Sequence, residues 1–226
     1  MNVNRMSLRA QVKEILLARI LNGEYKPGDR LVEMQIAQEL GTSQAPVRES
    51  LRELEALGFV ESEPYRGSRV KAVTRAELAE IYPVRAALEE VAARAATKRL
   101  AGNAEALEAE LAAMHRAAEK GDLYEQVQHD VAFHRLIVEA SGNKVLLDAW
   151  KSLRIEARTL ISAIATDLDP HELAERHRPV LEALTAGDSE RAGKIIRQHV
   201  EFFGELILKA DHDSHAADNA GAISRS

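Results

Sequence analysis

A short polar stripe in residues 41–57 carries side chains suited to reading DNA. Gln44, Arg48 and Arg52 lie four residues apart, so a helix places them on one face. A glutamine amide pairs bidentately with adenine, and an arginine guanidinium pairs with guanine or with a phosphate. Ser43 precedes them as a helix cap, where its side chain and the first backbone amides can hold a phosphate. The alternative is a solvated charged face on an ordinary helical domain.

A second group of chemically capable side chains lies in HDVAFHR at residues 129–135. Asp130 and His134 are four residues apart and share one helix face, which is otherwise apolar. A carboxylate and an imidazole on an inward face need a partner, because an isolated buried charge is costly. A divalent cation is one such partner, and a salt bridge is the other. His177 and His199 follow on later segments, and spacing alone does not connect them with this pair.

Composition limits the classes of protein that can hold these groups. The 226 residues are 46% hydrophobic and 29% charged, as in a globular protein of one or two domains. The absence of cysteine excludes disulfides and thiolate metal sites. The sequence has no signal-peptide pattern and no apolar run near the roughly 20 residues of a membrane span. We therefore expect a cytoplasmic protein without a membrane partner.

Charge is unevenly distributed along the chain. Residues 1–75 carry 12 Lys and Arg and 10 Asp and Glu, whereas the whole chain carries 30 and 36 and has a net charge of −6. The excess of acidic residues therefore belongs to the later part. A polyanion would meet the N-terminal third of the chain.

The elements that position the polar stripe are three helices and a hairpin. Apolar spacing predicts helices at 8–21, 32–40 and 44–57, and Gly41 and Gly58 end the last two. Alternating segments at 59–63 and 68–73 flank the basic tip Pro64-Tyr65-Arg66-Gly67. This order predicts a winged helix-turn-helix domain over residues 1–75, with the helix-turn-helix at about 33–57 and the wing at about 59–73.

The elements that position the histidines are helices throughout. Thr74 and Glu77 have the spacing of a capping box, and helical patterns follow to about residue 209. Breaks at Gly- and Asp-rich segments divide the region into about six helices. The fold class is therefore mainly α, with an all-α antiparallel bundle over 76–209 behind the winged domain. Residues 210–226 are polar and rich in small residues, which predicts a disordered tail.

A set of motifs in residues 8–73 resembles the GntR winged-helix family. The motifs are PGDRL at 27–31, IAQELG at 36–41, PVRESLREL at 46–54, GFV at 58–60 and Arg66-Gly67. The resemblance implies that Ser43, Gln44, Arg48 and Gly67 contact double-stranded operator DNA, and the stripe and the basic tip add Arg52 and Arg66. The sequence departs from the family at Gln44, where an arginine is common, and at Met34, where some relatives carry a DNA-contacting arginine. Fewer cationic contacts predict a shallower salt dependence of binding.

A second set of motifs in residues 76–208 resembles the FCD effector domain of the FadR subgroup of GntR regulators. It comprises Asp130-x-x-Phe133-His134, Ser141-Gly142-Asn143, His177 and Arg197-x-His199. The resemblance implies that Asp130, His134, His177 and His199 hold a metal ion in the core of the bundle. One oxygen and three nitrogen ligands suit Zn²⁺ first, then Ni²⁺, with Mn²⁺ and Fe²⁺ as further candidates.

The same resemblance implies an effector site beside the metal. Arg85 matches an arginine that resembles the family's partner for a ligand carboxylate, a role that a guanidinium fork suits. The alternative for Arg85 is an ordinary surface arginine of a helix. Asn143 and Arg158 are weaker candidates for contacts with the effector.

Together these features predict a metabolite-responsive repressor and not an enzyme. It would bind a palindromic operator as a homodimer, and a small organic acid bound beside the metal would release it. An activator or a metal sensor with the same architecture is one alternative. A metal-dependent enzyme is another, although the sequence shows no convincing nucleophile or general base. In a third, a metal-free bundle, the four residues form only hydrogen bonds.

Overall fold

The computed structural model describes residues 6–63, 66–166 and 168–223, and it divides into two compact units, Met1–Val73 and Thr74–Ser226. The first unit contains α1 (Leu8–Leu21), α2 (Glu33–Glu39) and α3 (Gln44–Leu57). The second contains only helices. The prediction of a winged helix-turn-helix followed by an all-α domain is confirmed.

Local signals determine the three helices of the first unit. Ser7 caps α1 by accepting a hydrogen bond from the Ala10 N–H, and Gly58 ends α3 with a left-handed backbone at φ +91°. The core between the helices is formed by fully buried aliphatic side chains, among them Leu16, Val47 and Leu54. Their burial holds α3 with its opposite face in solvent.

A three-stranded antiparallel sheet completes the first unit. Its strands are β1 (Arg30–Leu31), β2 (Val60–Glu63) and β3 (Gly67–Val70), in the order β1-β3-β2. The strands β2 and β3 form the predicted wing, with Glu63 opposite Gly67, and residues 64–65 lie outside the described residues. The sequence did not predict β1, because it is only two residues long and is defined by its pairing with β3.

Eight helices form the described part of the second unit. They are α4 (Arg75–Leu100), α5 (Glu105–Lys120), α6 (Leu123–Ala140), α7 (Lys144–Ser152), α8 (Ile155–Thr166), α9 (Pro170–Glu175), α10 (Arg178–Thr185) and α11 (Ser189–Ile223). The predicted capping box at Thr74 and Glu77 starts α4. The long helices α4 and α11 pack along each other, and α6 packs against α4.

Two additional breaks raise the number of helices above the predicted six. Between α7 and α8, Arg154 adopts a left-handed backbone with φ +45°, a conformation that no glycine marks in the sequence. Between α9 and α10, Pro179 occupies the first turn of the new helix, where its missing N–H costs no hydrogen bond. His177 becomes the N-cap residue of α10 as a result.

The long helix α11 enters the segment 210–226, for which the sequence predicts a disordered tail. The backbone of α11 stays helical to Ile223, and the last three residues lie outside the described residues. The segment is rich in alanine, the best helix former, and it extends an existing helix without a new nucleation step.

Candidate DNA-binding face and metal centre

The exposed face of α3 carries the predicted polar stripe. Ser43 is the N-cap residue of the helix, and its side chain makes no capping hydrogen bond. Gln44, Arg48 and Arg52 are all exposed, because Val47 and the other apolar residues of α3 occupy the opposite face. One side of α3 thus presents the hydroxyl of Ser43, which makes no capping hydrogen bond, together with one amide and two guanidinium groups.

Arg48 is oriented by an ion pair with Glu33 on α2. Its Nε lies 3.1 and 3.0 Å from the two carboxylate oxygens, and its Nη2 lies 2.8 Å from Oε2. The hydrogen bonds to Glu33 raise the pKa of Arg48 above its ordinary value. The pair connects the two helices of the helix-turn-helix and fixes the direction of one predicted DNA contact.

The wing combines a basic tip with acidic flanks. Arg66 is exposed, and its Nη1 lies 3.1 Å from Oε2 of Glu63. Gly67 has a φ of +80°, a left-handed conformation that favours glycine. Without a side chain, this position allows the backbone of the tip to approach another surface closely. Both predicted wing residues are therefore accessible.

The four predicted metal ligands come together in the second unit. Asp130 and His134 lie on α6, His177 precedes α10 and His199 lies on α11. One ligand atom from each lies within 4.8 Å of all the others. A tetrahedral metal with bonds of about 2.1 Å places its ligand atoms about 3.4 Å apart, so the side chains must close in by roughly 1 Å to bind it. The cluster is almost entirely buried, with Asp130 the most exposed member at 14% of its side chain.

Hydrogen bonds to backbone carbonyls determine which ring nitrogen of His177 faces the cluster. Nδ1 of His177 lies 3.2 Å from the carbonyl oxygens of Leu173 and Ala174, which can only accept a hydrogen bond. The proton therefore resides on Nδ1, and Nε2 faces Oδ1 of Asp130 at 3.0 Å. Two acceptor atoms at this distance repel each other unless Nε2 is protonated or a cation lies between them.

Three buried polar atoms of the cluster bear on whether it suits a metal ion or a simple ion pair. Nε2 of His134, Nε2 of His177 and Oδ2 of Asp130 are buried and have no hydrogen-bond partner among the described residues. A proton on His177 would satisfy one contact. It would leave Nε2 of His134 without a hydrogen bond and Oδ2 of Asp130 with only Nη2 of Arg85, which is 3.9 Å away. Since unpaired buried polar atoms are costly, the donor set fits a divalent cation better.

Glu89 on α4 connects the cluster to a buried polar network. Its Oε2 accepts a 2.5 Å hydrogen bond from Nδ1 of His134, which leaves Nε2 of that ring as the ligand atom. Its Oε1 accepts hydrogen bonds from Nε of Arg85 at 2.7 Å and from Nε1 of Trp150 at 2.8 Å. Burial alone would raise the pKa of Glu89, but the charge of Arg85 and the hydrogen bond from His134 hold it below its usual range. No sequence motif marked this carboxylate, although its spacing of four residues from Arg85 places the two on one helix face.

Electrostatics leave the cluster in a form that can bind a cation. Burial and the neighbouring His177 and His134 lower the pKa of His199 well below its ordinary value, so the ring is neutral near pH 7. Burial alone would raise the pKa of Asp130, but its contacts with His177 and the charge of Arg85 lower it overall. A neutral imidazole and an ionised carboxylate are the states that a metal requires of these ligands.

A small cavity adjoins the cluster, with a volume of about 30 Å³. It is lined by residues of α4, α6, α8 and α11, including Arg85, Gln126, Thr159 and Phe203. Arg85 is 5% exposed, which excludes the surface arginine considered above, and its Nη1 donates a hydrogen bond to Oγ1 of Thr159 at 3.2 Å. A buried cation beside the predicted metal is suited to binding a carboxylate.

The other two predicted effector contacts lie elsewhere in the second unit. Asn143 caps α7, with its side chain accepting a hydrogen bond from the Leu146 N–H. Arg158 lines a separate surface groove with Glu77 and Val84. Neither residue lines the cavity. Gln126 does so instead, and its buried Oε1 has no hydrogen-bond partner among the described residues, a feature that sequence spacing gives no means of finding.

None of the helices in the described part of the chain combines the length and the apolar character that crossing a membrane requires.

Two family matches cover most of the chain. Residues 8–70 match the family described as bacterial regulatory proteins, gntR family. Residues 80–202 match the FCD domain family. These ranges contain the exposed face of α3 and the buried cluster, respectively.

Curated relatives and solved structures agree with the family matches. The chain is 39% identical over 198 residues to the probable D-xylose utilization operon transcriptional repressor of Paenarthrobacter nicotinovorans, covering 88% of each chain. It is 29% identical over 192 residues to the HTH-type transcriptional regulator McbR of Escherichia coli strain K12, covering 83% of this chain and 87% of that protein. The solved structure of E. coli McbR/YncC is 27% identical, with a TM-score of 0.66 over 90% of this chain and 98% of that one.

Proposed function

Because the chain belongs to the gntR family of bacterial regulatory proteins and carries an FCD domain, we propose that it is a metabolite-responsive transcriptional repressor. It is a transcriptional regulator and not an enzyme, since the matched families and relatives are regulators. The relative with 39% identity is named as a repressor, which supports repression over activation here. The observation that carries the proposal is the convergence of four ligand atoms within 4.8 Å beside the Arg85 cavity.

The first unit binds operator DNA through α3 and the wing. Gln44, Arg48 and Arg52 face the major groove, where helix-turn-helix proteins place their second helix. Ser43 and the first amides of α3 bind a phosphate. Arg66 and Gly67 bring the wing against the backbone of the duplex. Two copies of the chain bind a palindromic operator, because a symmetric dimer matches a symmetric site.

The second unit binds a divalent metal through Asp130, His134, His177 and His199. Three nitrogens and one oxygen suit Zn²⁺ first and Ni²⁺, Mn²⁺ or Fe²⁺ as substitutes. A bound ion supplies positive charge and open coordination positions for an anionic ligand. Glu89 holds the ring of His134 in the tautomer that presents Nε2, as carboxylates next to metal-binding histidines commonly do.

The effector is a small organic acid that binds between the metal site and Arg85. The guanidinium offers its Nη atoms to a carboxylate, while Glu89 holds its Nε. A cavity of about 30 Å³ has room for about one water molecule, so the cluster must open to admit an acid. The acid then favours an open arrangement of the helices and, through it, a dimer that fits the operator poorly. It shifts this equilibrium only by its differential affinity for the two states.

Selection of binding sites followed by a ligand screen tests the proposal. The full chain is used to recover duplexes from a random library, and affinity for the recovered duplex is measured with a panel of small organic acids. The acids are tested with Zn²⁺-loaded protein and with EDTA-treated protein. We expect at least one acid to lower the affinity of the loaded protein tenfold or more, within the typical range of allosteric coupling.

The outcomes separate the two halves of the proposal. A protein that enriches no sequence contradicts the operator-binding half. An acid that releases EDTA-treated protein as well as loaded protein contradicts the role of the metal. The His129→Ala variant is the control, because His129 precedes Asp130 but pairs with Glu110 outside the cluster. It should respond as the unmodified chain does.

A further inference from the structure

The outer face of the three-stranded sheet is charged. Arg30 of β1 lies opposite Arg69 of β3, and Arg69 lies opposite Glu61 of β2. Leu31 and Val70 are buried on the inner face. Because side chains alternate along a strand, Arg30, Arg69 and Glu61 all point away from the core.

The two acidic residues of this face are already engaged. Arg69 forms ion pairs with Glu63 and with Glu61, the latter at 3.6 Å. Arg66 at the tip also pairs with Glu63. Arg30 is exposed and makes no side-chain hydrogen bond or ion pair with another residue in the described part of the chain. The face therefore has one cation in excess.

The position of Arg30 is fixed by the backbone around it. The N–H of Gly28 donates to the carbonyl of Val70, and the N–H of Val70 donates to the carbonyl of Asp29, both at 2.9 Å. Like charges on opposite strands repel, so Arg69 disfavours a guanidinium beside it. The guanidinium of Arg30 lies alongside Gly67 instead, where an added Cβ would be 3.8 Å from its Nη2.

We propose that Arg30 is a further DNA-contacting residue, which binds a backbone phosphate beside the tip of the wing. This inference rests on the proposed operator binding by the first unit. Arg66 and Arg48 must exchange a carboxylate for a group of the duplex, which offsets part of their gain. Arg30 gives up only bound water when it contacts a phosphate. Its contact therefore contributes the full gain in DNA affinity that comes from releasing one counterion. Gly67 adds to the contact, because it lets the duplex approach the backbone next to the guanidinium.

The salt dependence of binding tests the role of Arg30. Affinities of the full chain, Arg30→Gln and Arg30→Lys are measured between 50 and 300 mM salt, on the duplex recovered by selection and on a random duplex of equal length. One phosphate contact changes the slope of log affinity against log salt by about 0.9, or roughly five-fold in affinity at 0.15 M. We expect this loss for Arg30→Gln on both duplexes and a near-normal slope for Arg30→Lys.

Lys144→Gln is the matched control, since it removes the same charge from an exposed site in the second unit. It should keep the slope of the unmodified chain. An unchanged slope for Arg30→Gln, in protein that melts normally, overturns the inference alone. A loss confined to the selected duplex does so too, because it indicates a base contact. If the unmodified chain binds neither duplex, the proposed function fails, and this inference fails with it.

Discussion

Two arginine–glutamate pairs, one in each unit, have similar geometry and opposite surroundings. Arg48 and Glu33 meet at 2.8 Å with 51% and 31% of their side chains exposed. Arg85 and Glu89 meet at 2.7 Å with 5% and 0% exposed. By the distance between nitrogen and oxygen alone, the two ion pairs would be judged equally strong. Their surroundings differ, because water can replace either partner of the first pair and neither partner of the second.

The difference in burial assigns different roles to the same residue types. An exposed pair contributes little to stability, so its arginine can leave the carboxylate for a group on the DNA at small cost. A buried pair is costly to break, because the remaining charge has no solvent. The first arrangement suits a surface that must exchange partners, and the second suits a site whose geometry must persist.

Replacing the glutamate of each pair should give the largest difference in stability between the buried pair and the exposed pair. Glu89→Gln removes the hydrogen-bonded counter-charge of the buried Arg85, leaves it only the carboxylate of Asp130 at 3.9 Å, and weakens the partner of His134. We expect a loss of about 3–5 kcal/mol in the free energy of unfolding, measured by urea denaturation. Glu33→Gln is the matched control, and its unfolding midpoint should stay near that of the unmodified chain. Equal effects in the two variants would show that burial does not distinguish the pairs.

Metal addition should stabilise the buried cluster and leave the exposed face unchanged. With Zn²⁺ at about 100 times its dissociation constant, binding to the folded chain adds about 2.7 kcal/mol to its stability. His134→Ala should lose most of that gain, whereas His129→Ala should keep it. Thermal melting with and without EDTA measures the gain, and elemental analysis measures the bound metal.

The single tryptophan gives an independent readout of the same binding. Trp150 donates to the carboxylate that orients His134, so its fluorescence should change on loading. Less than about a tenth of an equivalent of metal after reloading, together with unchanged fluorescence, would show that the four residues form only hydrogen bonds and ion pairs.

Arg48→Ala should affect DNA binding far more than folding. We expect roughly a 5- to 150-fold loss of affinity for the selected duplex, the range for one arginine contact with a base. The melting temperature should change little, because the pair with Glu33 is exposed. A fluorescence-anisotropy titration measures the affinity. Binding equal to that of the unmodified chain would mean that α3 does not present Arg48 to the duplex.

The exposed face could be predicted from sequence because its signals are local. Helical periodicity gave Leu8–Leu21 and Gln44–Leu57 with the same bounds as α1 and α3, and Gly58 marked the end of α3. The strand β1 was missed, since two residues carry no period and their partners Arg69 and Ser68 in β3 lie far along the chain. Arg30 was overlooked for the same reason.

The buried cluster could be predicted only in part. The spacing of Asp130 and His134 placed both on one helix face, but resemblance to the FCD family was needed to add His177 and His199. Glu89 was missed because its partners His134 and Trp150 are 45 and 61 residues away. Its role depends on how α4 packs against α6 and α7, and long-range packing of this kind has no signature within one segment.

The smallest expected effect is a change in base preference. It tests whether the exposed face of α3 contacts the edges of bases. Gln44 is exposed one turn before Arg48, in a position to contact a base edge. A glutamine pairs best with adenine, and an arginine pairs best with guanine. Gln44→Arg should therefore favour guanine at one position of each half-site by about five-fold, the lower end for one bidentate contact. Site selection with both proteins measures this preference, with Gln38→Arg on α2 as a control for the added charge. An unchanged preference for Gln44→Arg would mean that Gln44 contacts only the phosphate backbone.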